Sequence, residues 1–390
     1  MAMNIPNIDI IYERQWRPMP YPVFALQKLG CMGTLYGGFP KFRYTKTGIP
    51  AEIIKTFPVA TLWNHARDKI GLPQSMSLNE PKTLARWVTS RKDLSPAIWS
   101  NGTIHRFLYP ELKSTGRKLI LERGSMHPFE HFHYQQRARR EAGVSYSEDL
   151  PASALDEIEQ TNHADAILTC SAMVRQSYLD NGFDPEKLHE CDFGIDTNEF
   201  SFLDRSAAHN RPLRLGVVGL VGFRKGAWRV MKIAEWAKRA GIDIEVHFVG
   251  PIETREAGEM LAKSDVKFHL HGVLKGGELK AMLKSFDLYI LPSYEEGLPF
   301  SVLEAMSSGL AAIVSTDTGA CEVALDGISG IHLTSFTDDE FDSKLAPLLK
   351  NPDMILEMGK SARDRIKQNY TIEHYYERVA SAMKKIFKDR

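Results

Sequence analysis

Short apolar runs alternate with longer amphipathic stretches along the second half of the chain. This pattern predicts a helix between successive strands, which is typical of right-handed βαβ units and a parallel sheet. The predicted strands are Leu213–Gly219, Ile242–Gly250, Val266–Leu270, Asp287–Leu291 and Leu310–Ser315, the last of which closes the series. The predicted helices are Ala227–Ala240, Glu253–Lys263, Leu279–Lys284 and Ser301–Ser308, followed by an almost wholly helical tail from Pro352 to Arg390.

The first half shows the same alternation less clearly. Its predicted elements are strands at Asn7–Tyr12, Lys118–Leu121 and Ile167–Cys170 and helices at Asp156–Ala166 and Met173–Asn181. Between about residues 35 and 108, aromatic, proline and basic residues obscure the pattern, and we predict no boundaries there. Two parallel sheets in one chain predict an α/β protein with a cleft between the sheets.

The length of 390 residues favours two domains, since a domain commonly has about 100–200 residues. The polar segment Cys191–Arg211 is typical of a connection between domains. We therefore expect an N-terminal domain at residues 1–205, a C-terminal domain at 206–370 and a final helix at 371–390.

The composition is that of a soluble globular protein, with 43% hydrophobic and 25% charged residues. No run approaches the ~18 apolar residues of a membrane span, and charged residues near the start argue against a secretory signal. The four cysteines have no metal-ligand spacing, which favours buried, reduced thiols. These features predict a cytoplasmic protein.

The net charge of zero conceals an asymmetry. Residues 1–140 contain 21 Lys and Arg against 9 Asp and Glu, whereas the remainder contains 28 against 40. A basic first half suggests an anionic partner, such as a membrane surface, a phosphorylated lipid carrier or nucleic acid. A generally solvated surface explains the counts equally well, because the sequence does not place these charges on one face.

A strand–turn–helix segment at residues 291–309 carries the strongest chemical signal. Its turn contains Glu296 and Gly297, and we predict that its helix has Pro299 at the first position, where the missing N–H costs little. Ligands of parallel sheets bind at the carboxyl ends of the strands, and the amides at the start of the helix suit a diphosphate. Glu304, further along the helix, is expected to face the cleft beside Glu296. One carboxylate can then bind sugar hydroxyls and the other a ribose diol.

A second loop follows the predicted strand Leu213–Gly219. Its glycines, Gly222 and Gly226, would let the backbone approach a phosphate closely, and Arg224 and Lys225 would offset the charge of a leaving diphosphate. A surface turn with unrelated basic residues is the alternative. The glycine fingerprints of ATPases and dehydrogenases are absent from the sequence.

The segment 291–309 resembles the Glu-x7-Glu signature of the family-4 retaining glycosyltransferases, and Glu296 and Glu304 match its two glutamates. The resemblance implies the GT-B architecture, in which two Rossmann-like domains with parallel sheets face each other across a cleft. In that architecture a C-terminal helix crosses back onto the first domain. The resemblance also implies that Glu296 contacts the donor sugar, that Glu304 contacts the ribose, and that no metal or other cofactor is needed.

Other positions follow the same family order. Lys225 and Gly226 match the family's phosphate-binding loop, whereas Leu220 stands where the family has an arginine, so we infer that Arg224 supplies that charge. Val273 and Leu274 resemble contacts to the nucleobase. The resemblance thus implies a donor-binding set of Gly222, Gly226, Val273, Leu274, Gly297, Leu298, Pro299, Phe300, Ser301 and Glu304.

The first domain matches the family less well, because Arg17, Pro18, Met19, Pro20 and Tyr21 replace the usual glycine-rich loop. By resemblance His127 is the candidate contact to the donor sugar, although a structural role for a loop histidine explains it equally well. A metal site at His127, His131 and His133 is disfavoured, because these residues match no standard ligand motif.

The resemblance predicts a retaining, metal-independent hexosyltransferase. It would move a sugar from a nucleoside-diphosphate sugar to a hydroxyl of a glycan or lipid-linked acceptor, in cell-surface polysaccharide or glycolipid synthesis. The candidate catalytic residues are Glu296, Lys225, Arg224 and His127. We expect no nucleic acid partner, and peripheral contact of the basic half with the anionic inner face of a membrane. The alternatives are a non-catalytic protein that binds a nucleotide sugar, and another GT-B enzyme, either a sugar phosphorylase or an epimerase.

Overall fold

The computed structural model describes residues 5–13, 20–200 and 211–388. The strands of the first half are β1 (Ile8–Tyr12), β2 (Met32–Gly37), β3 (Ile54–Thr56), β4 (Ala97–Asn101), β5 (Lys118–Arg123), β6 (Ala166–Thr169) and β7 (Leu188–Glu190). Those of the second half are β8 (Leu213–Val218), β9 (Ile244–Val249), β10 (Phe268–Leu270), β11 (Leu288–Leu291), β12 (Ala311–Ser315) and β13 (Gly330–Leu333).

Helices connect the strands in both halves. In the first half they are α1 (Pro20–Lys28), α2 (Lys41–Thr45), α3 (Val59–Lys69), α4 (Glu80–Thr89), α5 (His105–Leu112), α6 (Pro128–Glu141), α7 (Ala152–Thr161) and α8 (Ala172–Asp180). In the second half they are α9 (Ala227–Arg239), α10 (Arg255–Ala262), α11 (Gly277–Ser285), α12 (Phe300–Ser307), α13 (Ala320–Val323), α14 (Asp338–Glu340), α15 (Ala346–Leu349), α16 (Pro352–Asn369) and α17 (Ile372–Ile386).

Each half contains one parallel sheet. The first sheet has the strand order β3-β2-β1-β4-β5-β6-β7, and the second has the order β10-β9-β8-β11-β12-β13. In each sheet the order in which strands are added reverses beside the first strand, between β1 and β4 and between β8 and β11. Such a reversal places a crevice at the carboxyl ends of the central strands. The predicted α/β architecture with two parallel sheets is therefore confirmed.

The predicted elements of the second half are confirmed, with small shifts at their ends. The prediction that Leu310–Ser315 closes the series is wrong, because β13 follows it and pairs with β12. This strand is short and begins with a glycine, so its pattern is that of a loop. The helical tail divides where Thr371 begins a new helix, and its hydroxyl accepts a hydrogen bond from the backbone amide of His374.

The tail connects the two halves. Helix α16 packs against α12 and β12 of the second half, whereas α17 packs against α1 and β7 of the first. The expected boundary between residues 205 and 206 lies outside the described residues, as do Arg17, Pro18 and Met19. One apolar cluster is continuous between the halves and includes Cys170 of the first and Leu298 of the second. Over the described ranges, no helix combines the length and apolar character of a membrane span.

Candidate functional site

Two loops meet at the carboxyl ends of the adjacent strands β8 and β11, which pair through Leu215 and Leu288. We call residues 219–226 loop A and residues 292–299 loop B. The backbone amide of Tyr294 in loop B donates a hydrogen bond to the carbonyl of Arg224 in loop A, at 2.8 Å. The site is thus built where the crevice of a parallel sheet is expected.

Glycine is required at position 226, at the end of loop A. Gly226 has a φ of 78°, and a Cβ at this position would lie 2.3 Å from the carbonyl oxygen of Pro292. The close approach at Gly222 is to a carboxylate, because a Cβ there would lie 1.8 Å from Oε2 of Glu253. The two glycines therefore allow close contacts within the chain, to Pro292 and to Glu253. The sequence suggested a different reason for them, which is the close approach of the backbone to a phosphate.

Three of the predicted catalytic residues converge in this crevice. Oε1 of Glu296 lies 2.6 Å from Nζ of Lys225 and 2.6 Å from Nη1 of Arg224. All three side chains are largely buried, so their charges interact strongly. Leu220, in contrast, is exposed.

Helix α12 begins at Phe300, one residue after the predicted first position at Pro299 and one before the predicted bound at Ser301. Pro299 is the N-cap, with an extended conformation, and its carbonyl oxygen accepts a hydrogen bond from the amide of Val302 at 3.1 Å. The side chain of Leu298 is in the apolar core, and the ring of Phe300 stacks on Phe193 at 4.8 Å between centroids. The side chain of Leu298 therefore serves packing, whereas that of Phe300 is partly exposed.

Glu304 is buried rather than solvated. It faces Tyr289, whose pKa is raised by burial and further by the charge of Glu304, while a hydrogen bond with Ser301 acts in the opposite direction. Tyr289 itself donates a hydrogen bond to the carbonyl of Val218 at the end of β8. Glu304 and Ser301 thus lie near Tyr289, which contacts the end of the strand that leads into loop A.

The two predicted base contacts lie in the turn after β10. Val273 is exposed, and Leu274 is half-buried against the apolar core. The turn is held by a bridge between Gly250, which follows β9, and Gly272. Gly297 lies on the opposite side of the site, where a Cβ would be 2.3 Å from the carbonyl oxygen of Gly124 in the first half.

The structure does not place His127 among these groups. Its ring is buried between Tyr178 and Phe183, at 5.2 and 5.6 Å between centroids, and its Nδ1 accepts a hydrogen bond from the amide of Phe129. Burial and the charge of Arg123 lower the pKa of His127 to about 4. The N-cap role and the apolar surroundings give this histidine a structural role, while its buried Nε2 has no hydrogen-bond partner among the described residues. Its assignment as a contact to the donor sugar stays a prediction.

Sequence reasoning missed the link between the halves at Glu295. Its Oε2 lies 2.8 Å from Nδ1 of His131, and its Oε1 accepts a hydrogen bond from the amide of Met126. Nε2 of His131 lies 2.6 Å from the side-chain nitrogen of Gln135, so the Nδ1–H tautomer satisfies both contacts. The position of Glu295 next to the motif glutamate Glu296 indicated that it lies near the site, but the sequence could not identify His131 as its partner.

His131 is therefore engaged with Glu295 and not with its histidine neighbours. His133 packs its ring on Phe129 at 4.3 Å. The structure gives no convergence of His127, His131 and His133 within the described residues.

A family comparison agrees with the position of this site. Residues 207–365 match the model of the family "Glycosyl transferases group 1". This part of the chain is therefore similar to the group 1 glycosyl transferases. The matched range contains loop A, loop B and α12, and with them Arg224, Lys225 and Glu296.

Similar proteins extend the likeness beyond this range. The chain is 24% identical over 250 residues to the alpha-maltose-1-phosphate synthase of Mycolicibacterium smegmatis, covering 57% of this chain and 64% of that protein. It is 22% identical over 229 residues to the amylovoran biosynthesis glycosyltransferase AmsK of Erwinia amylovora, covering 56% of each chain. The chain thus spans less than two thirds of the length of these curated relatives.

A solved structure is similar over nearly the whole chain. Anabaena HepE, in complex with UDP and glucose, superposes with a TM-score of 0.69 at 13% identity, covering 96% of this chain and 98% of that one. This similarity shows the fold alone. Together with the two sheets, it confirms the GT-B architecture, whereas the roles of Glu296 and Glu304 stay predictions.

Proposed function

We propose that this chain is a retaining glycosyltransferase that moves a sugar from a nucleoside-diphosphate sugar to a hydroxyl of a glycan or lipid-linked acceptor. The observation that carries the proposal is the convergence of Lys225 and Arg224 on Glu296 in loop B, just before α12. The match to the group 1 family and a relative named for amylovoran biosynthesis support a role in cell-surface polysaccharide or glycolipid synthesis.

The two cations would stabilise the leaving diphosphate. As the bond between the anomeric carbon and the diphosphate oxygen breaks, negative charge develops beside Lys225 and Arg224, which lie in a largely buried crevice where such stabilisation is strong. The acceptor oxygen bonds to the anomeric carbon on the same face, and its proton passes to an oxygen of the departing diphosphate. Because Lys225 and Arg224 would stabilise this negative charge, we propose that the transfer needs no metal ion or other cofactor.

We expect Glu296 to exchange its ion pairs with Lys225 and Arg224 for hydrogen bonds with the donor sugar. A diphosphate in the crevice would compete with the Glu296 carboxylate for both cations, since each cation lies 2.6 Å from Oε1 of Glu296. Glu296 would then be left to the sugar hydroxyls, and Glu304 to the ribose. Positioning of the donor is itself a large part of such catalysis.

The acceptor would enter from the first half. A cavity of about 300 Å³ lies at the carboxyl ends of β1, β4 and β5, and it is lined by Glu13, Asn101 and Glu122. Carboxylate and amide groups hydrogen-bond well to hydroxyls. This lining supports a hydroxyl-rich acceptor at that edge of the crevice.

We also propose peripheral contact with an anionic membrane. Helix α3 exposes Val59, Leu62 and Trp63, and Phe42 is exposed nearby in sequence with Lys46 above its ring. Apolar side chains beside basic ones are typical of interfacial binding. Sedimentation with anionic vesicles should weaken in Leu62→Ser, whereas Leu155→Ser, an equally exposed leucine on α7, should bind as wild type. Equal sedimentation of all three proteins would contradict the contact.

The central experiment measures donor binding and turnover in one set of variants. Thermal unfolding with UDP, GDP, ADP and CMP sugars should show a rise in Tm with one class. Lys225→Ala should weaken the binding of that donor at least about tenfold and lower the rate of transfer about 10²–10³-fold. Lys263→Ala, an exposed lysine at the end of α10, is the charge-matched control and should behave as wild type.

The outcomes separate the alternatives. Transfer with retained anomeric configuration, followed by NMR, supports the proposal. Donor binding without any turnover indicates a binding protein, dependence on inorganic phosphate indicates a phosphorylase, and epimer formation without an acceptor indicates an epimerase. No response to any nucleotide sugar overturns the proposal.

A further inference from the structure

We infer that the edge of the second sheet carries a binding site for a transition-metal ion of the zinc type. The site consists of Glu245, His247 and His269, which we call the histidine cluster. One ligand atom each of Glu245, His247 and His269 lies within 4.8 Å of the other two. Nε2 of His271 lies 3.0 Å from Nδ1 of His247.

Strand register produces this convergence. Glu245 and His247 are two residues apart on β9, and His269 lies directly opposite His247 on the edge strand β10. Residues two apart on a strand point to the same face, so His271 follows His269 on that face. The ligand atoms are thus brought together by hydrogen-bonded backbone.

The donor set determines the class of ion. Imidazole nitrogen with one carboxylate oxygen is a ligand set of Zn²⁺, Co²⁺ and Ni²⁺, whereas Mg²⁺ and Ca²⁺ prefer oxygen ligands. Ligands of a tetrahedral zinc ion lie about 3.3 Å apart, as follows from Zn–N distances of about 2.0–2.1 Å. The rings of His247 and His269 are stacked, so binding of one ion by both would require rotation of these side chains.

The surroundings orient these ligands. The side chain of His247 is largely buried, and its ring lies 4.5 Å from that of His269 and 5.8 Å from that of Phe286. Oε2 of Glu245 lies 3.1 Å from Nε of Arg214, on the neighbouring strand. Partners of this kind hold ligands in place in known metal sites. His269 and Glu245 are half-buried, which leaves a route of entry.

This site is distinct from the crevice between loops A and B, with which it shares no residue. An ion here would join the edge strand to β9 and so support the turn that carries Val273. It would take no part in the transfer step. The ion can therefore be tested without any donor, and the proposed function and this inference can fail independently.

The experiment uses the full chain, freed of metal with a chelator and dialysed. Titration with Co²⁺ should give visible absorption bands that saturate at one ion per chain and disappear when Zn²⁺ is added. His269→Ala and Glu245→Gln should each weaken Co²⁺ binding at least about tenfold. His65→Ala, an exposed histidine on α3, is the matched control and should bind as wild type.

His269 and Glu245 are chosen because their partial exposure favours folded variants, which far-UV circular dichroism would confirm. Zn²⁺ should also raise the Tm of the wild type and of His65→Ala but not that of His269→Ala. Absence of Co²⁺ bands in the wild type would overturn the inference. So would binding that is undiminished in both cluster variants, since the ion would then be held elsewhere.

Discussion

The carboxylate of Glu295 accepts a hydrogen bond from the imidazole of His131 at 2.8 Å, although the two residues belong to different halves of the chain. The same carboxylate accepts the amide of Met126 and lies 3.2 Å from Arg224. Burial raises the pKa of Glu295, but His131, Arg224 and the Met126 amide outweigh burial and hold the pKa well below its usual range. Glu295 thus binds α6 to loop B as an anion.

We predict that His131→Ala costs about 1–3 kcal/mol in the free energy of unfolding, because it removes a hydrogen bond to a buried carboxylate. His133→Ala, an exposed histidine on the same helix, is the control and should cost less than about 0.5 kcal/mol. Chemical denaturation measures both values. Equal costs for the two variants would show that the contact between the halves contributes nothing.

The pH dependence of Glu295 has a definite sign. Since its folded pKa is depressed, its contribution to stability is complete above its unfolded pKa of about 4.5 and is lost as the pH falls below that value. The stability difference between wild type and Glu295→Gln should therefore shrink on acidification from pH 6 to pH 3. A difference that stays constant over this range would refute the depressed pKa.

The second half was largely predictable because its signals are local. Strand β11 is a continuous apolar run, and a parallel sheet places the loops after neighbouring strands together, which brings Lys225 and Glu296 into one crevice. The Glu295–His131 contact was not predictable, since it spans 164 positions and depends on how the halves pack. The burial of His127 was not predictable for the same reason, because it depends on tertiary contacts with Tyr178.

Gly226→Ala should destabilise the protein by about 2 kcal/mol or more. The residue has a left-handed φ, which costs about 1–2 kcal/mol for alanine, and its Cβ would meet the carbonyl of Pro292 at 2.3 Å. Gly241→Ala is the control, because its φ is similar at 67° and no atom lies within 4 Å of its Cβ. Thermal unfolding should show the larger loss for Gly226→Ala, together with weaker donor binding. Similar losses for the two variants would mean that loops A and B adjust freely.

Glu122 should make the protein less stable as the pH rises. Burial raises its pKa to about 7, despite hydrogen bonds from Trp99 and Tyr12 that lower it in part. The folded state therefore retains a proton that the unfolded state loses above about pH 4.5. Stability falls between about pH 4.5 and pH 7, by on the order of 3 kcal/mol, and levels off above the folded pKa. Glu122→Gln keeps an acceptor for both donors and should abolish this part of the pH dependence. An unchanged profile of Tm against pH in the variant would contradict the raised pKa.

Substitution of Arg229 should cause the largest loss of stability among these variants. Its guanidinium is buried, lies 3.5 Å from the ring centroid of Tyr294 and makes an ion pair with Asp317 at 2.9 Å. Removal of one member of a buried pair costs about 3–5 kcal/mol, so Arg229→Met should unfold at markedly lower denaturant concentration. Arg229→Lys should recover only part of the loss, since an ammonium group cannot stack on Tyr294 as a planar guanidinium does. Arg239→Met, on the same helix but in an exposed pair with Asp338, should cost less than about 1 kcal/mol. If Arg229→Met were as stable as Arg239→Met, the buried ion pair would contribute no more to the free energy of unfolding than the exposed one, which would contradict the prediction.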